Sequence, residues 1–187
     1  PERVLVALRR WASESRICSV FLRLSLEVKI DSGIHDGTVI EDRAQNVVVD
    51  LLRTNEEIWM GYEHKVRKSV KKALRGGCEV ERVTNLDDPT EFMSIYNSTM
   101  TRRRADQRYV FGVDFYNQIG RELRGSFSVF NVRDEAGRMI SAELVLESDQ
   151  YLYSFLGGTE ADAFHLAPNS LLKHEVIQYG LRTGRRG

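Results

Sequence analysis

Only two cysteines, Cys18 and Cys78, occur among the 187 residues, and their separation matches no metal-ligand spacing. A disulfide framework is excluded, and a reducing compartment fits. The four histidines, His35, His64, His165 and His174, lack H-E-x-x-H or comparable spacing, so no bound metal is expected. There is no G-x-S-x-G elbow and no recognisable Cys/His arrangement, so nothing signals a covalent nucleophile. Neither sign of charge dominates: 27 basic residues balance 27 acidic ones. No global field steers the chain to nucleic acid or membrane, and charge-driven binding must come from a local patch. Long apolar runs are also missing. The run over 17–26 is broken by Arg23, too short to span a bilayer. No signal peptide opens the sequence, and a cytoplasmic location is the expectation. Pro1 at one end and Arg185-Arg186-Gly187 at the other read as cuts from a longer chain.

What is present is enough for a folded domain. A hydrophobic content of 42% supports a core, and 29% charge is ordinary. The length suits one medium domain, or one domain with a piece of a neighbour.

Val4, Leu5, Leu8 and Trp11 recur at helical spacing, which predicts a helix over 3–13. A strand is predicted over 17–24, and a polar, turn-rich linker over 29–45. Val47 to Leu51 reads as a short apolar strand. Thr54 and Glu57 then make a T-x-x-E capping box, followed by Ile58, Tyr62, Val66, Val70 and Leu74 stepping by four. This predicts one helix running to the stop at Gly76-Gly77. A strand over 79–83 and helices over 89–103 and 114–123 follow. The pattern then changes to period two: strands over 126–132, 139–147 and 150–156 form an antiparallel meander. A turn-rich stretch, 157–166, leads to Pro168, a favoured helix opener, and a last helix over 170–183. The fold class is α+β.

Two stretches carry a resemblance. Trp59…Tyr62-x-x-Lys65-x-Arg67-Lys68-x-Val70-x-Lys72-Ala73…Gly77 follows a Val-Val-Val-Asp-Leu segment, and Pro168-Asn169-x-Leu171-Leu172…Ile177…Gly184 spans the last helix. Together they resemble the FemAB-type transferases and related acetyltransferase-like (GNAT-like) domains, over about residues 46–187. The resemblance implies a mixed, mainly antiparallel sheet with flanking helices, in tandem GNAT-like units. Residues 1–28 then look like the helix–strand tail of a preceding unit, 29–45 like a linker, and 46–187 like a GNAT-like domain lacking its final strand. It implies transfer of an aminoacyl group from charged tRNA to a peptidoglycan precursor, or acyl transfer by relatives. It also implies a further strand, a glycine-containing turn and a catalytic Phe-Lys segment after the last helix.

Acyl transfer needs a held donor, an amine that loses a proton, and hydrogen-bond donors for the oxyanion. Between Tyr62 and Arg75 stand Lys65, Arg67, Lys68, Lys71, Lys72 and Arg75 against Glu63 alone. A phosphate-rich ligand would find cationic partners there, and a solvated face favouring the C-terminal dipole fits equally. With the family motif in view, Lys65, Arg67 and Lys68 are the candidates for contact with substrate or tRNA phosphates. Arg102-Arg103-Arg104 with Arg108 and Tyr109 forms a second basic cluster. Arg103 and Tyr109 are candidate acceptor contacts there, or parts of an Arg-rich surface loop.

Gly157-Gly158-Thr159 at a strand end permits a bulge or close backbone approach, so Gly157 and Gly158 are candidate donor contacts. Tyr153 is the candidate proton donor or orienting hydroxyl, although a half-buried strand aromatic fits its place equally. Asn169, in the first turn of the last helix, is either a site residue or a cap.

The coenzyme A loop Q/R-x-x-G-x-G/A is absent, and Glu160 and Asp162 in the corresponding loop would repel a pyrophosphate. No tightly bound cofactor is expected; the donor is aminoacyl-tRNA or acyl-CoA. The expected partner is tRNA or another phosphate-bearing substrate, with peripheral contact to a membrane-bound precursor. The alternative functions are a coenzyme A-dependent N-acyltransferase and a non-catalytic module binding RNA or another anion. A sheet lacking its final strand exposes an edge. The stretch 18–24 is a candidate to fill it, within the chain or across a domain-swapped dimer.

Overall fold

Residues 2–22 and 46–187 are described in the computed structural model, and the chain divides into two compact units, Pro1–Asn46 and Val47–Gly187. In the first unit, α1 covers Glu2–Glu14. Its last turn closes through Arg16 in the left-handed region (φ 55°), with Arg16 N–H on the Ser13 carbonyl and Ile17 N–H on Ala12. That is a Schellman closure with arginine where glycine is usual. The strand expected over 17–24 does not form over 17–22, and 23–24 lie outside the described residues. Apolar, β-branched character is not enough, because a strand exists only as part of a ladder.

The second unit begins with a similar correction. Residues 47–50 are irregular: Val47 is 97% exposed, and one backbone bond, Leu51 N–H to the Arg186 carbonyl, anchors the segment. The predicted capping box is present. Glu57 N–H donates to Thr54 Oγ1 (3.2 Å), and Thr54 N–H donates to Glu57 Oε2 (2.8 Å). It opens α2, Asn55–Gly61.

The single long helix expected from the four-step stripe is two helices. Tyr62 and Glu63 are extended, and α3 starts afresh at His64–Arg75. The break is held by Arg67. Its guanidinium donates to the carbonyls of Trp59, Met60 and Tyr62 at the end of α2, where Trp59 also accepts the Tyr62 N–H (3.3 Å). The new start rotates the stripe: Val70 and Ala73 are buried, whereas Leu74 is 56% exposed. At the stop, Gly77 (φ 67°) has no room for a Cβ, which would lie 2.1 Å from the Glu135 side chain.

The elements that follow are β1 Glu79–Val83, α4 Thr90–Arg102, α5 Val113–Glu122, β2 Phe127–Arg133, β3 Met139–Glu147, β4 Leu152–Thr159 and α6 Pro168–Arg182. The four strands form one antiparallel sheet in sequence order. Its two faces are covered separately. Phe92, Ile95 and Tyr96 of α4 and Tyr116 and Ile119 of α5 pack with Phe127, Val129, Ala142 and Leu144. Val70 and Ala73 of α3 and Leu171 and Leu172 of α6 pack with Phe130, Val132, Ile140 and Val145. Because both faces are buried, β2 and β3 read as nearly continuous apolar runs.

β4 runs three residues further than the expected 150–156 stretch and contains Gly157 and Gly158, which had read as loop. It is one of the two outer strands of the sheet, and its register against β3 slips between Leu144 and Val145. Leu144 faces Leu156 and Val145 faces Ser154, leaving Phe155 as a bulge. At the start of β4, Leu152 N–H donates to the Gly187 carbonyl (2.8 Å), and Arg186 N–H donates to Gln150 (2.7 Å). Arg185 is fixed nearby by the buried Glu147 carboxylate (3.3 Å), which also accepts from Tyr179 (2.9 Å).

Candidate active site

At the bulge, a cavity of ≈ 450 Å³ opens against β4. Its walls come from both sides of the sheet: Arg102 and Arg103 end α4, Glu143 and Ser154 sit on β3 and β4, and Asn169 and Lys173 lie on α6. Such a gathering is possible because β4 is an outer strand and Gly157-Gly158 places no side chains between the two faces. Both glycines are required by packing. A Cβ on Gly158 would come within 2.6 Å of the Ile95 carbonyl oxygen, and one on Gly157 within 3.1 Å of the Ala142 carbonyl. α4 thus crosses β4 at backbone distance.

The crossing is pinned by polar groups. Thr159 N–H donates to Thr99 Oγ1 (3.1 Å), Arg102 Nη2 donates to the Thr159 carbonyl (3.0 Å), and Ser141 Oγ donates to the Gly158 carbonyl (3.0 Å). The Arg102 guanidinium lies 4.9 Å from the centre of the Phe164 ring, a cation–π contact at the cavity rim.

The floor holds the most unusual group. Glu143 is 3% exposed, in a strand otherwise apolar around it. Lys173 Nζ donates to Glu143 Oε1 (2.5 Å) and to Ser154 Oγ (2.7 Å). An unpaired buried carboxylate costs on the order of several kcal/mol, and Lys173 offsets that cost. No charge of its own is left over from the pair. Arg102 and Arg103, neither ion-paired among the described residues, therefore make the cavity positive overall.

Of the residues singled out from sequence, Arg103, Gly157, Gly158 and Asn169 line this cavity. Tyr153 does not: it stands opposite Leu146, whose side chain packs with α4 and α5, whereas Ser154 stands opposite Val145 and faces α6. Tyr109 is in a short 3-10 turn, half exposed and outside the cavity. Lys65, Arg67 and Lys68 lie on α3, also outside it. Lys65 pairs with Glu63 (2.9 Å), Arg67 is turned onto the end of α2, and Lys68 is exposed. Beside them Trp59, Tyr62 and His174 form an aromatic cluster, with Tyr62 Oη 3.3 Å from His174 Nδ1. Burial lowers the His174 pKa below its ordinary value, and the Glu175 charge partly opposes this. Burial likewise raises the Tyr62 pKa.

Sequence reasoning missed Glu143, Lys173 and Ser154. The available signal was an acid at the centre of an apolar strand; its partner 30 residues later carried none. The loop acid Asp162 pairs with Arg138 (2.9 Å), and neither it nor Glu160 lines the cavity. No group of residues able to hold a metal occurs among the described residues.

A family model described as an acetyltransferase (GNAT) domain matches residues 61–187. The chain belongs to that family. The GNAT match covers the whole cavity, with α3 to α6 and all four strands. Among solved structures, FemX shares the fold at TM-score 0.61 and 14% identity, over 73% of this chain and 50% of FemX. A second neighbour is the C-terminal domain (DUF2156) of a putative lysylphosphatidylglycerol synthetase from Agrobacterium fabrum. It matches at TM-score 0.52 and 16% identity, over 68% of this chain and 42% of that one. This chain thus spans half the length of FemX or less of such neighbours. The GNAT-like part of the resemblance read from the sequence holds as family, and the likeness to FemX shows the fold. No curated protein matches the sequence. No helix among the described residues is long and apolar enough to cross a membrane.

Proposed function

We propose that this GNAT domain transfers an aminoacyl or acyl group from an activated ester or thioester to an amine, in the building of a cell-wall precursor. The observation that carries this reading is the cavity at the β4 bulge, where a backbone edge, a buried carboxylate and unpaired cations converge. Thr159 N–H turns out of the ladder to Thr99, so by strand alternation Gly157 N–H turns out as well. It is the backbone donor placed for an oxyanion at the cavity wall. Arg102 and Arg103 supply positive charge for a phosphate- or carboxylate-bearing substrate. Lys65 and Lys68 on α3 remain the cations offered to tRNA phosphates, beside the Trp59 and Tyr62 rings on which a base would stack.

The FemAB-type resemblance of the 59–77 and 168–184 motifs supports aminoacyl-tRNA as donor and a peptidoglycan precursor as acceptor. The name of the Agrobacterium neighbour supports a lipid acceptor as the second reading. Either donor would be met in the cytoplasm, and either acceptor at the inner membrane face. Acyl-CoA stays open as donor because Asp162 is neutralised by Arg138. The test is a transfer assay: the protein is incubated with radiolabelled aminoacyl-tRNA or acyl-CoA and a panel of amines, lysine-containing muramyl peptides included. Label passing to an acceptor amide from one donor identifies it. Label passing from neither rejects the reading.

A further inference from the structure

Resting on that acyl-transfer reading, we propose that Glu143 and Lys173 act as one closed proton relay, with Glu143 as the base for the acceptor amine and Lys173 as the acid for the leaving group. Three observations carry it. First, Glu143 is nine-tenths buried yet lines the cavity, and its contact to Lys173 uses Oε1, with no hydrogen bond to Oε2 among the described residues. Second, Lys173 is fixed from two sides, by Glu143 on β3 (2.5 Å) and by Ser154 on β4 (2.7 Å), and still lines the cavity with one N–H to spare. Third, Glu143 stands directly opposite Gly157 in the β3–β4 register, and Glu143, Lys173 and Gly157 line the same cavity.

The relay balances without an outside acid or base. The amine nitrogen attacks the acyl carbonyl, forming the C–N bond. Its proton passes to Glu143 Oε2. As the tetrahedral centre collapses, the bond from carbon to the leaving oxygen breaks, and Lys173 Nζ gives that oxygen a proton. The carboxylic acid left on Glu143 and the neutral amine left on Lys173 then exchange the proton across their existing hydrogen bond. The ion pair is restored and the products are an amide and an alcohol. A thiolate leaving group needs the Lys173 proton far less. Ser154 is a positioning residue that aims the ammonium. An ion pair serving structure alone would occupy the same atoms, so the test must separate the two.

Wild-type protein is assayed first with an alkyl-ester donor and with an activated aryl-ester donor. Glu143→Gln keeps the shape and is expected to lower kcat about 10²-fold or more on both donors. The donor KM should stay unchanged. Lys173→Arg keeps the ion pair and the melting temperature, but a guanidinium cannot give up its proton. It should be slow on the alkyl ester and near wild type on the aryl ester. Lys173→Met, if it folds, should show the same split. Glu143→Gln turning over within threefold of wild type, or Lys173→Arg slowing both donors equally, overturns the relay while leaving acyl transfer standing. A wild-type protein that moves no acyl group from any donor overturns the functional reading, and the relay falls with it.

Discussion

Thr99 on α4 holds Thr159 at the end of β4 through both backbone groups: Thr159 N–H donates to its Oγ1 at 3.1 Å, and the same oxygen lies 3.3 Å from the Thr159 carbonyl. The two residues are buried, so neither bond is traded readily for water. Thr99→Val keeps the shape and removes the hydroxyl. The Thr159 N–H then loses its partner inside the protein. Stability should fall by about 1–3 kcal/mol, measured as a lower urea midpoint at unchanged slope. Arg102, left as the remaining clamp on the Thr159 carbonyl, should become mobile, and turnover should fall with it. A variant as stable as wild type would mean that the crossing is held by Gly158 packing alone.

Much of the sheet was legible because its signals are local. The runs 79–83 and 139–147 match β1 and β3 to the residue, and the Asp134-to-Gly137 turn between β2 and β3 was marked by its own residues. Thr54 and Glu57 announced their cap. The failures depended on distant partners. The break at Tyr62–Glu63 is made by an arginine five residues onward reaching back, across a stripe that looked unbroken. Gly157 and Gly158 have poor strand propensity, and they lie in β4 because α4 needs the space. At the site, Gly157, Gly158, Arg103 and Asn169 were visible through residue type alone. Glu143 acquires meaning only when the fold brings Lys173 and Ser154 to it.

Arg67 offers a way to separate architecture from ligand binding on the basic helix. Its guanidinium serves three carbonyls at the α2–α3 junction, Met60 at 2.9 Å among them. Arg67→Ala should therefore cost about 1–2 kcal/mol of stability, because those carbonyls are part-exposed and water replaces some of the bonding. The double variant Lys65→Ala, Lys68→Ala should leave the melting temperature within a degree or two. It should instead weaken tRNA binding and reduce the salt slope by about two. An unchanged slope would remove α3 from the binding surface.

His174 predicts a pH dependence of stability. Burial between Trp59 and Tyr62 lowers its pKa in the folded state, with Glu175 as the opposing charge. Above the unfolded-state value near 6.5 both states hold the ring neutral, and the packing is fully stabilising. As pH falls below that value the unfolded chain binds the proton more readily, so stability drops until the folded ring also titrates. Urea midpoints at pH 8, 6.5 and 5 should fall in that order, and His174→Phe should flatten the part of the slope that this ring contributes. A variant with the same slope as wild type would assign the dependence to other groups.

Gly158 decides how closely α4 lies on the strand edge. A methyl group there would sit 2.6 Å from the Ile95 carbonyl oxygen and 2.8 Å from Thr99 Oγ1, and at least the first of these is backbone that cannot swing aside. Gly158→Ala must push the end of α4 outward or displace β4. Overpacking of this kind costs about 1–3 kcal/mol. The displacement also carries Arg102 and Arg103 away from the cavity, since both follow Thr99 on the same helix end. Donor binding should weaken along with stability, whereas Gly137→Ala, in an open turn at φ 79°, should cost stability through backbone strain alone and leave donor binding intact. Measuring both variants by thermal melting and by donor titration separates the two effects. Equal donor affinity in the two would show that the α4–β4 crossing does not shape the cavity.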